Sequence, residues 1–387
     1  MKILVLSFYY EPDLSAGSFR STSLVKALKK RLKDHDEIDV ITTMPNRYQS
    51  FQDTALPFQE EQNTKIYRIN LGSHKSGFVD QSLLFGQFAL KVINIVRKKE
   101  KYDLIYVSSG RLMTAFLGAL ISNYQKNKLF LDLRDIFTDT LASLFAKSKL
   151  RYIVPLFRQI EKYTVNSADH INLVSQGFEE HFKKINPNMS YSFYPNGIDD
   201  EFLSFDFTKE KSTPKKIITY AGNIGEGQGL DKIIPAMAQF LGDTYQIQVV
   251  GDGGTKRKLL DALQGVLNVE ILPPVSRIKL LEIYKNSDYL FLHLNDYDAF
   301  KKVLPSKMFE YAATKKPMIA GVSGYAQEFI TQYLPDTILF EPCNVDDFAK
   351  KFHLTQEEKP MSEREDFIKK FSRVNIMHEL SKRVYEL

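Results

Sequence analysis

The chain has 387 residues, a formal net charge of +5 at pH 7, 43% hydrophobic residues and 26% charged residues. The length favours two domains of ordinary size, and the composition is that of a globular protein rather than a disordered or fibrous one. The single cysteine, Cys343, excludes an intramolecular disulfide and favours a reducing, cytoplasmic location.

No apolar stretch approaches the roughly 20 residues that a membrane-spanning helix needs. The N-terminal run KILVLSF leads to Glu11 and Asp13 without a small-residue cleavage site, so we interpret it as a buried strand rather than a signal peptide. The sequence shows no nucleic-acid-binding motif, and we expect no nucleic acid as a partner.

The first half of the chain alternates short apolar runs, predicted to be strands, with stretches of helical periodicity. The predicted strands are KILVLSF (2–8), EIDVITT (37–43), KIYRINL (65–71), YDLIYVSS (102–109), KLFLDLRD (128–135) and HINLVS (170–175). The predicted helices cover residues 19–32, 80–100, 111–126, 141–167 and 176–185. Such alternation favours a parallel sheet covered by helices on both faces.

The alternation restarts after a polar, proline-containing segment (201–216), which is the best candidate for a linker. The predicted strands are KIITYAG (216–222), QIQVVG (246–251), NVEIL (268–272), YLFLHL (289–294), PMIAGV (317–322) and TILFEP (337–342). The predicted helices include 230–241, 255–265 and a long terminal helix over about 362–387. The predicted fold class is therefore α/β, with two doubly wound domains that bind ligands at the carboxyl ends of their strands, in a central cleft.

The strongest local motif is VLPSKMFEYAATKKPMIAG (303–321). Pro305 and Ser306 would start a helix, and Lys307 and Glu310 would then share one face of its first turns. The positive end of this helix and Lys307 suit a phosphate, while Glu310 could accept hydrogen bonds from both hydroxyls of a ribose. The alternative is an ordinary helix with an exposed Lys–Glu pair.

Two glycine-rich turns each follow a predicted strand, at residues 222–229 and 251–254. Glycines there let the backbone approach a ligand closely and offer N–H groups to an anion. Neither turn has the G-x-G-x-x-G dinucleotide fingerprint or the GK[ST] of a P-loop. The alternative is a pair of tight strand-to-helix turns without a ligand.

Two segments of the first half could bind or activate a substrate. The loop 11–18 follows the first strand, and Arg20, at the start of the next helix, could reach a phosphate. At the end of its strand, Asp135 could act as a general base toward an acceptor hydroxyl or simply cap a helix.

The seven histidines form no metal-ligand pattern, and His293 is predicted to be a satisfied interior residue. We therefore expect no metal, and the absence of G-x-S-x-G excludes the nucleophile elbow of hydrolases. The segment 141–165 interleaves apolar residues with basic ones, including Lys147, Lys149 and Arg151. It could lie on an anionic membrane surface or be a core helix with a solvated basic face.

In this order, the motifs resemble the large retaining glycosyltransferase family 4, which has the GT-B fold. The most similar subgroup resembles bacterial O-antigen and capsule transferases related to N-acetylfucosaminyl transferases. The resemblance covers nearly the whole chain and rests on MKILVLSFYYEP, AGSFRSTSLVKAL, FLDLRDIF, YPNGID, YAGNIGEGQGLDKII, VVGDGG and VLPSKMFEYAATKKPMIAG.

This resemblance implies an N-terminal acceptor domain (1–200), a C-terminal donor domain (201–365) and a terminal helix (366–387) that packs back on the first domain. It implies sugar transfer from a nucleotide sugar, with UDP favoured, to a glycan or polyprenyl-diphosphate-linked acceptor. The transfer would need no metal or cofactor and would serve the synthesis of a bacterial surface polysaccharide. The enzyme would be cytoplasmic, and it could bind peripherally to the inner face of the plasma membrane.

The resemblance also assigns roles to residues, with Glu310 as the ribose-binding glutamate of the family. Its usual glutamate partner, eight residues earlier, is Lys302 here, and Asn223 and Gln228 stand nearest the places of a loop Arg and Lys. Lys307, loop amides, Lys301, Lys302 or Arg20 would then hold the diphosphate. The expected catalytic residues are Asp135, Lys307 and Glu310. The expected donor-binding residues are Gly222, Asn223, Gly225, Gly251, Asp252, Gly253, Val275, Pro305, Ser306, Lys307 and Glu310. The expected acceptor or phosphate loop comprises Ala16, Gly17, Arg20 and Arg134.

Two alternatives stay open from the sequence. One is a non-catalytic relative that binds a nucleotide sugar or a partner transferase, which the missing Arg, Lys and first Glu would suit. The other is a sugar-nucleotide epimerase, which would turn over the donor without an acceptor. An NAD-dependent dehydrogenase lacks its fingerprint.

Overall fold

A computed structural model of the chain describes residues 1–13, 15–45, 55–71, 78–145, 148–209, 214–355 and 364–387, without the side chains of residues 78, 79, 143, 144 and 355. The chain divides into two compact units. Unit 1 consists of Met1–Asn196 and Val374–Leu387, and unit 2 of Gly197–Arg373. Among the described residues, no helix is long and apolar enough to cross a membrane.

Unit 1 contains an eight-stranded sheet in the order β3-β4-β2-β1-β5-β6-β7-β8. Every neighbouring pair is parallel except β3 with β4. The central strand is an apolar run that is buried on both faces, as expected for a parallel sheet covered by helices. The strands are β1 (Lys2–Ser7), β2 (Glu37–Thr43), β3 (Phe58–Glu61), β4 (Thr64–Ile69), β5 (Leu104–Ser109), β6 (Lys128–Leu133), β7 (His170–Leu173) and β8 (Tyr191–Ser192).

The predicted helix 141–167 is wrong as a single helix, because two helices and a 3-10 turn occupy this region. The turn, Lys149–Ile153, is capped by Ser148, and a proline lies in the first turn of the helix that follows. Proline is tolerated at the start of a helix but not in its interior. The helices of unit 1 that precede Asn196 are α1 (Ala16–Lys29), α2 (Phe78–Val96), α3 (Leu112–Gln125), α4 (Phe137–Phe145), α5 (Val154–Asn166) and α6 (Glu179–Ile185).

Unit 2 contains a six-stranded, entirely parallel sheet in the order β11-β10-β9-β12-β13-β14. This is the strand order of the Rossmann fold, with its reversal between β9 and β12, where such folds bind ligands. The strands are β9 (Lys216–Asn223), β10 (Tyr245–Asp252), β11 (Val269–Leu272), β12 (Tyr289–His293), β13 (Met318–Gly321) and β14 (Ile338–Phe340).

The helices of unit 2 pack their apolar faces on this sheet, and α8 shows the pattern most clearly. Its buried positions recur every three or four residues, which is the period of one helix face. They are Leu230, Ile233, Ile234, Met237, Ala238 and Leu241. The helices are α7 (Asp200–Ser204), α8 (Leu230–Leu241), α9 (Lys256–Ala262), α10 (Arg277–Asn286), α11 (Lys307–Ala313), α12 (Tyr325–Tyr333), α13 (Val345–Thr355) and α14 (Glu365–Phe371).

The terminal region forms two helices instead of the single predicted helix, with α15 (Arg373–Tyr385) beginning after Ser372. At this break, Ser372 forms a parallel bridge with Ile198. The division into units therefore falls at 196/197 and 373/374 rather than at the predicted 200/201 and 365/366. Residues 201–209, the first part of the candidate linker 201–216, belong to unit 2, where Phe202 is buried.

Candidate functional site

The two glycine-rich turns lie side by side at the carboxyl ends of β9 and β10. Gly222 is paired with Gly251, and Asn223 with Asp252. Gly222 has a φ of +150°, and a Cβ atom there would overlap Cε of Lys307. Glycine is therefore required both by the backbone conformation and by the path of the Lys307 side chain.

The side chain of Lys307 extends from the start of α11 to the glycine turn. Its Nζ lies 2.8 Å from the position that a Cβ atom would occupy on Gly222. Burial lowers the pKa of Lys307, the nearby Glu310 raises it and Arg277 lowers it. Among the described residues, none forms a hydrogen bond or ion pair with this ammonium group, so its charge is available to an anion.

The start of α11 differs from the sequence-based expectation of free N–H groups. The amides of Met308 and Phe309 already donate to the carbonyls of Pro305 and Ser306, at 3.2 Å each. Ser306 takes a helical conformation and makes no side-chain cap. The positive feature at this point is therefore the ammonium of Lys307 rather than a set of orphan amides.

Glu310 is only 8% exposed, and its Oε1 accepts a hydrogen bond from Nη1 of Arg277 at 3.1 Å. Burial raises the pKa of Glu310, but the positive charges of Arg277 and Lys307 lower it by more. The pKa of Glu310 therefore lies below its ordinary value. Glu310 is thus an ionised, buried acceptor at the fourth residue of its helix, one turn along from Lys307.

Arg277 is the residue of this site that the sequence-based prediction missed. Its guanidinium binds Asp199 at 2.6 Å and Glu201 at 3.1 Å in addition to Glu310, and it lies over the ring of Phe202. The sequence analysis predicted no helix here, although Arg277 is the first residue of α10 in the structure. Its partners lie 33 and 76–78 residues away, so no local pattern identifies them.

Several predicted donor-binding residues hold the turns together themselves. Asn223 donates to Oε1 of Gln228 at 3.0 Å, and a Cβ atom on Gly225 would meet the Asn223 amide. Asp252 accepts from the amide of Gly253 at 2.9 Å. Asn223 and Gln228, which stand nearest the places of the loop Arg and Lys that the resemblance implies, are therefore hydrogen-bonded to each other.

The remaining predicted donor-site residues are less informative. Val275 is partly buried in the loop before α10, two residues from Arg277. Nζ of Lys301 lies 2.7 Å from Oδ1 of Asp298. One of the lysines expected near the diphosphate is thus already in an ion pair. Nδ1 of His293 donates to the Gln228 carbonyl, and its Nε2 accepts from the Cys343 amide. Burial lowers the pKa of His293 to about 4.

In unit 1, the prediction that Arg20 reaches a phosphate is wrong. Its side chain is completely buried and forms a bidentate ion pair with Asp132, at 2.7 and 2.8 Å. It also donates to the carbonyls of Tyr194 and Pro195. The Arg20–Asp132 pair is therefore a structural ion pair inside unit 1. If Arg20 turned toward a phosphate instead, the buried charge of Asp132 would be left without its partner.

Asp135 and Arg134 follow β6 directly. Burial raises the pKa of Asp135 to about 6, opposed by the Ile136 amide and by the charge of Arg134. The carboxyl lines a cavity of about 20 Å³, together with Arg111 and Glu161. This is room for about one water molecule beside a carboxyl that changes its charge near neutral pH.

Arg134 lies against the first turn of α1, where Ala16 and Gly17 are found. A Cβ atom on Gly17 would lie 2.5 Å from Nη1 and 2.6 Å from Nη2 of Arg134. The structure therefore brings Ala16, Gly17 and Arg134 together and places Arg20 elsewhere. Among the described residues, no group of three potential metal ligands occurs.

The segment 148–163 is exposed and basic. Leu150, Tyr152 and Leu156 are 40%, 72% and 63% exposed. The basic residues beside them are also exposed, and they are Lys149, Arg151, Arg158 and Lys162. Lys147 and the side chain of Leu144, which belong to the predicted membrane segment, lie outside the described residues.

Comparison with known families decides the class of unit 2. Residues 203–373 match the family "Glycosyl transferases group 1". The chain carries a group 1 glycosyl transferase domain. This domain contains both glycine turns, Arg277, Lys307 and Glu310.

Relatives and solved structures extend the likeness to the rest of the chain. The chain is 25% identical over 353 residues to the protein named as the colanic acid biosynthesis glycosyl transferase WcaI of Escherichia coli (strain K12), covering 84% of each. The fold is similar to that of HepE from Anabaena in complex with UDP and glucose, with a TM-score of 0.70 at 16% identity over 100% of both chains.

It is also similar to sucrose-phosphate synthase from Thermosynechococcus elongatus, with a TM-score of 0.69 at 14% identity, covering 100% of this chain and 94% of that one. These likenesses, together with two parallel-dominated sheets of Rossmann order, confirm the GT-B fold that was predicted from the motifs.

Proposed function

We propose that the chain is a retaining, metal-independent glycosyltransferase of family 4 that transfers a sugar from a UDP-sugar to a glycan or a polyprenyl-diphosphate-linked acceptor. The observation that carries the proposal is the ammonium of Lys307 against Gly222, one helical turn from the ionised Glu310. A nucleoside diphosphate presents the two matching groups, a diphosphate for the ammonium and a ribose diol for the carboxylate.

The chemistry follows from where charge develops. When the anomeric carbon–oxygen bond breaks, the leaving UDP gains negative charge, and the fixed ammonium of Lys307 stabilises it without a metal ion. The acceptor oxygen bonds to the anomeric carbon on the face from which the diphosphate leaves. Its proton passes to a base, for which Asp135 is our candidate. Glu310 contributes by holding the ribose, so that remote binding energy positions the reacting carbon.

The biological setting is proposed from the named relatives. WcaI is named for colanic acid biosynthesis, and HepE has been solved with UDP and with UDP-glucose. We propose that this chain likewise uses a UDP-sugar in the synthesis of a bacterial surface polysaccharide, O-antigen or capsule, on the cytoplasmic side of the membrane. The exposed basic and apolar segment 148–163 supports contact with an anionic lipid surface.

Sugar transfer measured with labelled UDP-sugars and a polyprenyl-diphosphate-linked saccharide tests the proposal. We expect Glu310→Gln to lower kcat/KM by about a hundredfold, since a charged acceptor for ribose hydroxyls is worth about 3 kcal/mol. Lys307→Met should lower mainly kcat, because the phosphate charge grows in the transition state.

Lys279→Met is the matched control, since Lys279 is an exposed lysine of α10. Near wild-type transfer by both site variants would contradict the proposed donor site. Donor turnover that needs no acceptor would favour an epimerase instead, and UDP-sugar binding without any turnover would favour a non-catalytic relative.

A further inference from the structure

Three helices of unit 1 contribute side chains to one polar cluster. Thr138 and Asp139 lie in the first turn of α4, Glu161 lies in α5 and His181 in α6. Oγ1 of Thr138 donates to Oε2 of Glu161 at 2.8 Å, and Nε2 of His181 lies 2.9 Å from the same oxygen. The other ring nitrogen of His181, Nδ1, lies 3.8 Å from Oδ2 of Asp139. One imidazole therefore faces two carboxyl groups that come from different helices.

Both of these carboxyl groups are also neighbours of Asp135. Asp135 and Glu161 line the same cavity of about 20 Å³, which has room for about one water molecule. Burial is the main cause of the raised pKa of Asp135, and the negative charge of Asp139 raises it further. The groups that lie closest to His181 are thus the same groups that disfavour a negative charge on Asp135.

A counter-ion on these carboxyl groups changes how readily Asp135 releases its proton. A negative charge nearby disfavours a second negative charge, and a cation bound to the first one weakens this effect. Histidine is the side chain that gains or loses a proton most readily in the physiological range. The ring of His181 is 18% exposed, so it can exchange that proton with solvent although Glu161 is buried.

The other charged groups around Asp135 do not change their charge with pH in this way. Arg134 precedes Asp135, and its charge lowers the pKa of Asp135, as does the amide of Ile136. Arg111 lines the same cavity. Both arginines stay positively charged at every physiological pH. Of the groups in contact across α4, α5 and α6, the imidazole of His181 is the one that can respond.

We propose that His181, through Glu161 and Asp139, controls whether Asp135 holds a proton, and so sets the pH range in which Asp135 can accept one from the acceptor hydroxyl. A protonated His181 offsets the two carboxylates and allows Asp135 to ionise, while a neutral His181 leaves the proton on Asp135 up to a higher pH. The inference rests on the proposed function, in which Asp135 is the base. His181 and Glu161 are then positioning residues, because they act through Asp135.

The ionisation of Asp135 can be measured in the full chain without any substrate. Carboxyl NMR of protein with ¹³C-labelled aspartate, with Asp135→Asn to identify the signal, gives the pH at which Asp135 ionises. Glu161→Gln removes a negative charge and should lower this pH by about one pH unit. His181→Gln removes the cation and should raise it by a similar amount. His181→Lys keeps a positive charge and should return it to the wild-type value or below.

The opposite directions distinguish this role from a structural one. Disturbed packing alone would move the Glu161→Gln and His181→Gln signals in the same direction, and that result, or two unmoved signals, would overturn the proposal. If Glu161→Gln does not fold, the two His181 variants decide in the same way, since they should differ in direction. Glu180→Gln is the matched control, because Glu180 precedes His181 and forms an exposed ion pair with Lys184 at 2.6 Å. It should leave the Asp135 signal unchanged.

The same variants separate this inference from the proposed function. The acidic limb of the pH–rate profile for sugar transfer should move with the Asp135 signal, to lower pH in Glu161→Gln and to higher pH in His181→Gln. Opposite shifts of the signal without any sugar transfer by the wild type, or with an unmoved acidic limb, would count against the proposed function or against Asp135 as its base. They would not count against the control of Asp135 by His181.

Discussion

Glu310 keeps its charge in the interior of unit 2 because Arg277 accompanies it. The residue is 8% exposed, and burial alone would raise the pKa of its carboxyl and favour the neutral form. The ion pair reverses this shift, and Asp199 and Glu201 in turn fix the orientation of Arg277. Arg277 is therefore a positioning residue: it sets the charge and the direction of the group that we propose to bind ribose.

This role predicts a specific defect in Arg277→Met. The pKa of Glu310 should rise, so the loss of UDP binding on acidification should begin at a higher pH than in the wild type. The variant should also lose discrimination against a 2′-deoxyribose donor, since a neutral Glu310 no longer rewards the hydroxyl. Titrations of UDP and 2′-deoxy-UDP at several pH values measure both effects. Partial rescue by Arg277→Lys is expected, and an unmoved pH profile would contradict the role.

Asp135 provides a second test at the scale of the residue, through its pKa of about 6. Because its pKa is raised in the folded state, the protonated form favours folding, and this contribution is lost as pH rises from about 4 to about 6. Asp135→Asn should therefore gain thermal stability relative to the wild type above pH 6 but not at pH 4. If Asp135 is the base, the same variant loses the acidic limb of the pH–rate profile. Equal stability differences at both pH values would contradict the raised pKa.

At the scale of the element, the sequence predicted what local burial dictates. Strands such as β1 and β6 are mostly apolar and buried on both faces, and α8 has a clear apolar stripe, so these patterns identify the elements without knowledge of distant partners. The single helix over 141–167 was wrong because a capping serine and a proline interrupt a pattern that remains amphipathic throughout. The short edge strands β3 and β8 were missed because few of their side chains are buried.

The same limit explains the errors at the site. Arg20 looked like a phosphate ligand because it follows a glycine-containing loop, yet its partner Asp132 lies 112 residues away. Arg277 went unnoticed for the corresponding reason. Charge alone shows that a residue needs a partner, and only the fold determines which partner is within reach.

The exposed segment 148–163 yields the prediction that belongs to the element. Its only acidic residue, Glu161, is buried, so the outward face is basic and apolar. Each cation near an anionic leaflet contributes about 1 kcal/mol, screened by salt. Changing Lys149, Arg151 and Arg158 to Glu should abolish sedimentation with anionic liposomes and spare activity on a soluble acceptor.

The matched control for this variant changes three exposed basic residues of unit 2 to Glu: Arg257, Lys279 and Lys350. It should sediment as the wild type does, and the wild type should not sediment with neutral liposomes or at high salt. Equal binding to both kinds of liposome, or unchanged binding in the first triple variant, would favour a solvated basic helix.

At the scale of the whole molecule, two sheets of Rossmann order provide two sets of strand ends, and each set carries a different kind of cation. In unit 2, Lys307 lies beside a buried carboxylate, as a nucleotide with a diphosphate and a diol requires. In unit 1, Arg134 lies beside a carboxyl with a pKa of about 6. The division suits the reaction that we propose, in which the donor releases a nucleoside diphosphate and the acceptor loses a proton.

The same division predicts that UDP binds without a metal ion. Lys307 supplies the positive charge that a divalent cation would otherwise supply. The carboxylates of Glu310, Asp199 and Glu201 are already bound by Arg277. Calorimetry in EDTA should therefore give the same UDP affinity as calorimetry with magnesium, and UDP at 100 times its Kd should stabilise the fold by about 2.7 kcal/mol in both. At the UDP concentration used for the wild type, Lys307→Met should lower both the affinity for UDP and the stabilisation that UDP gives. Binding that disappears in EDTA and returns with magnesium would show that the diphosphate is held by a metal, and that Lys307 has another task.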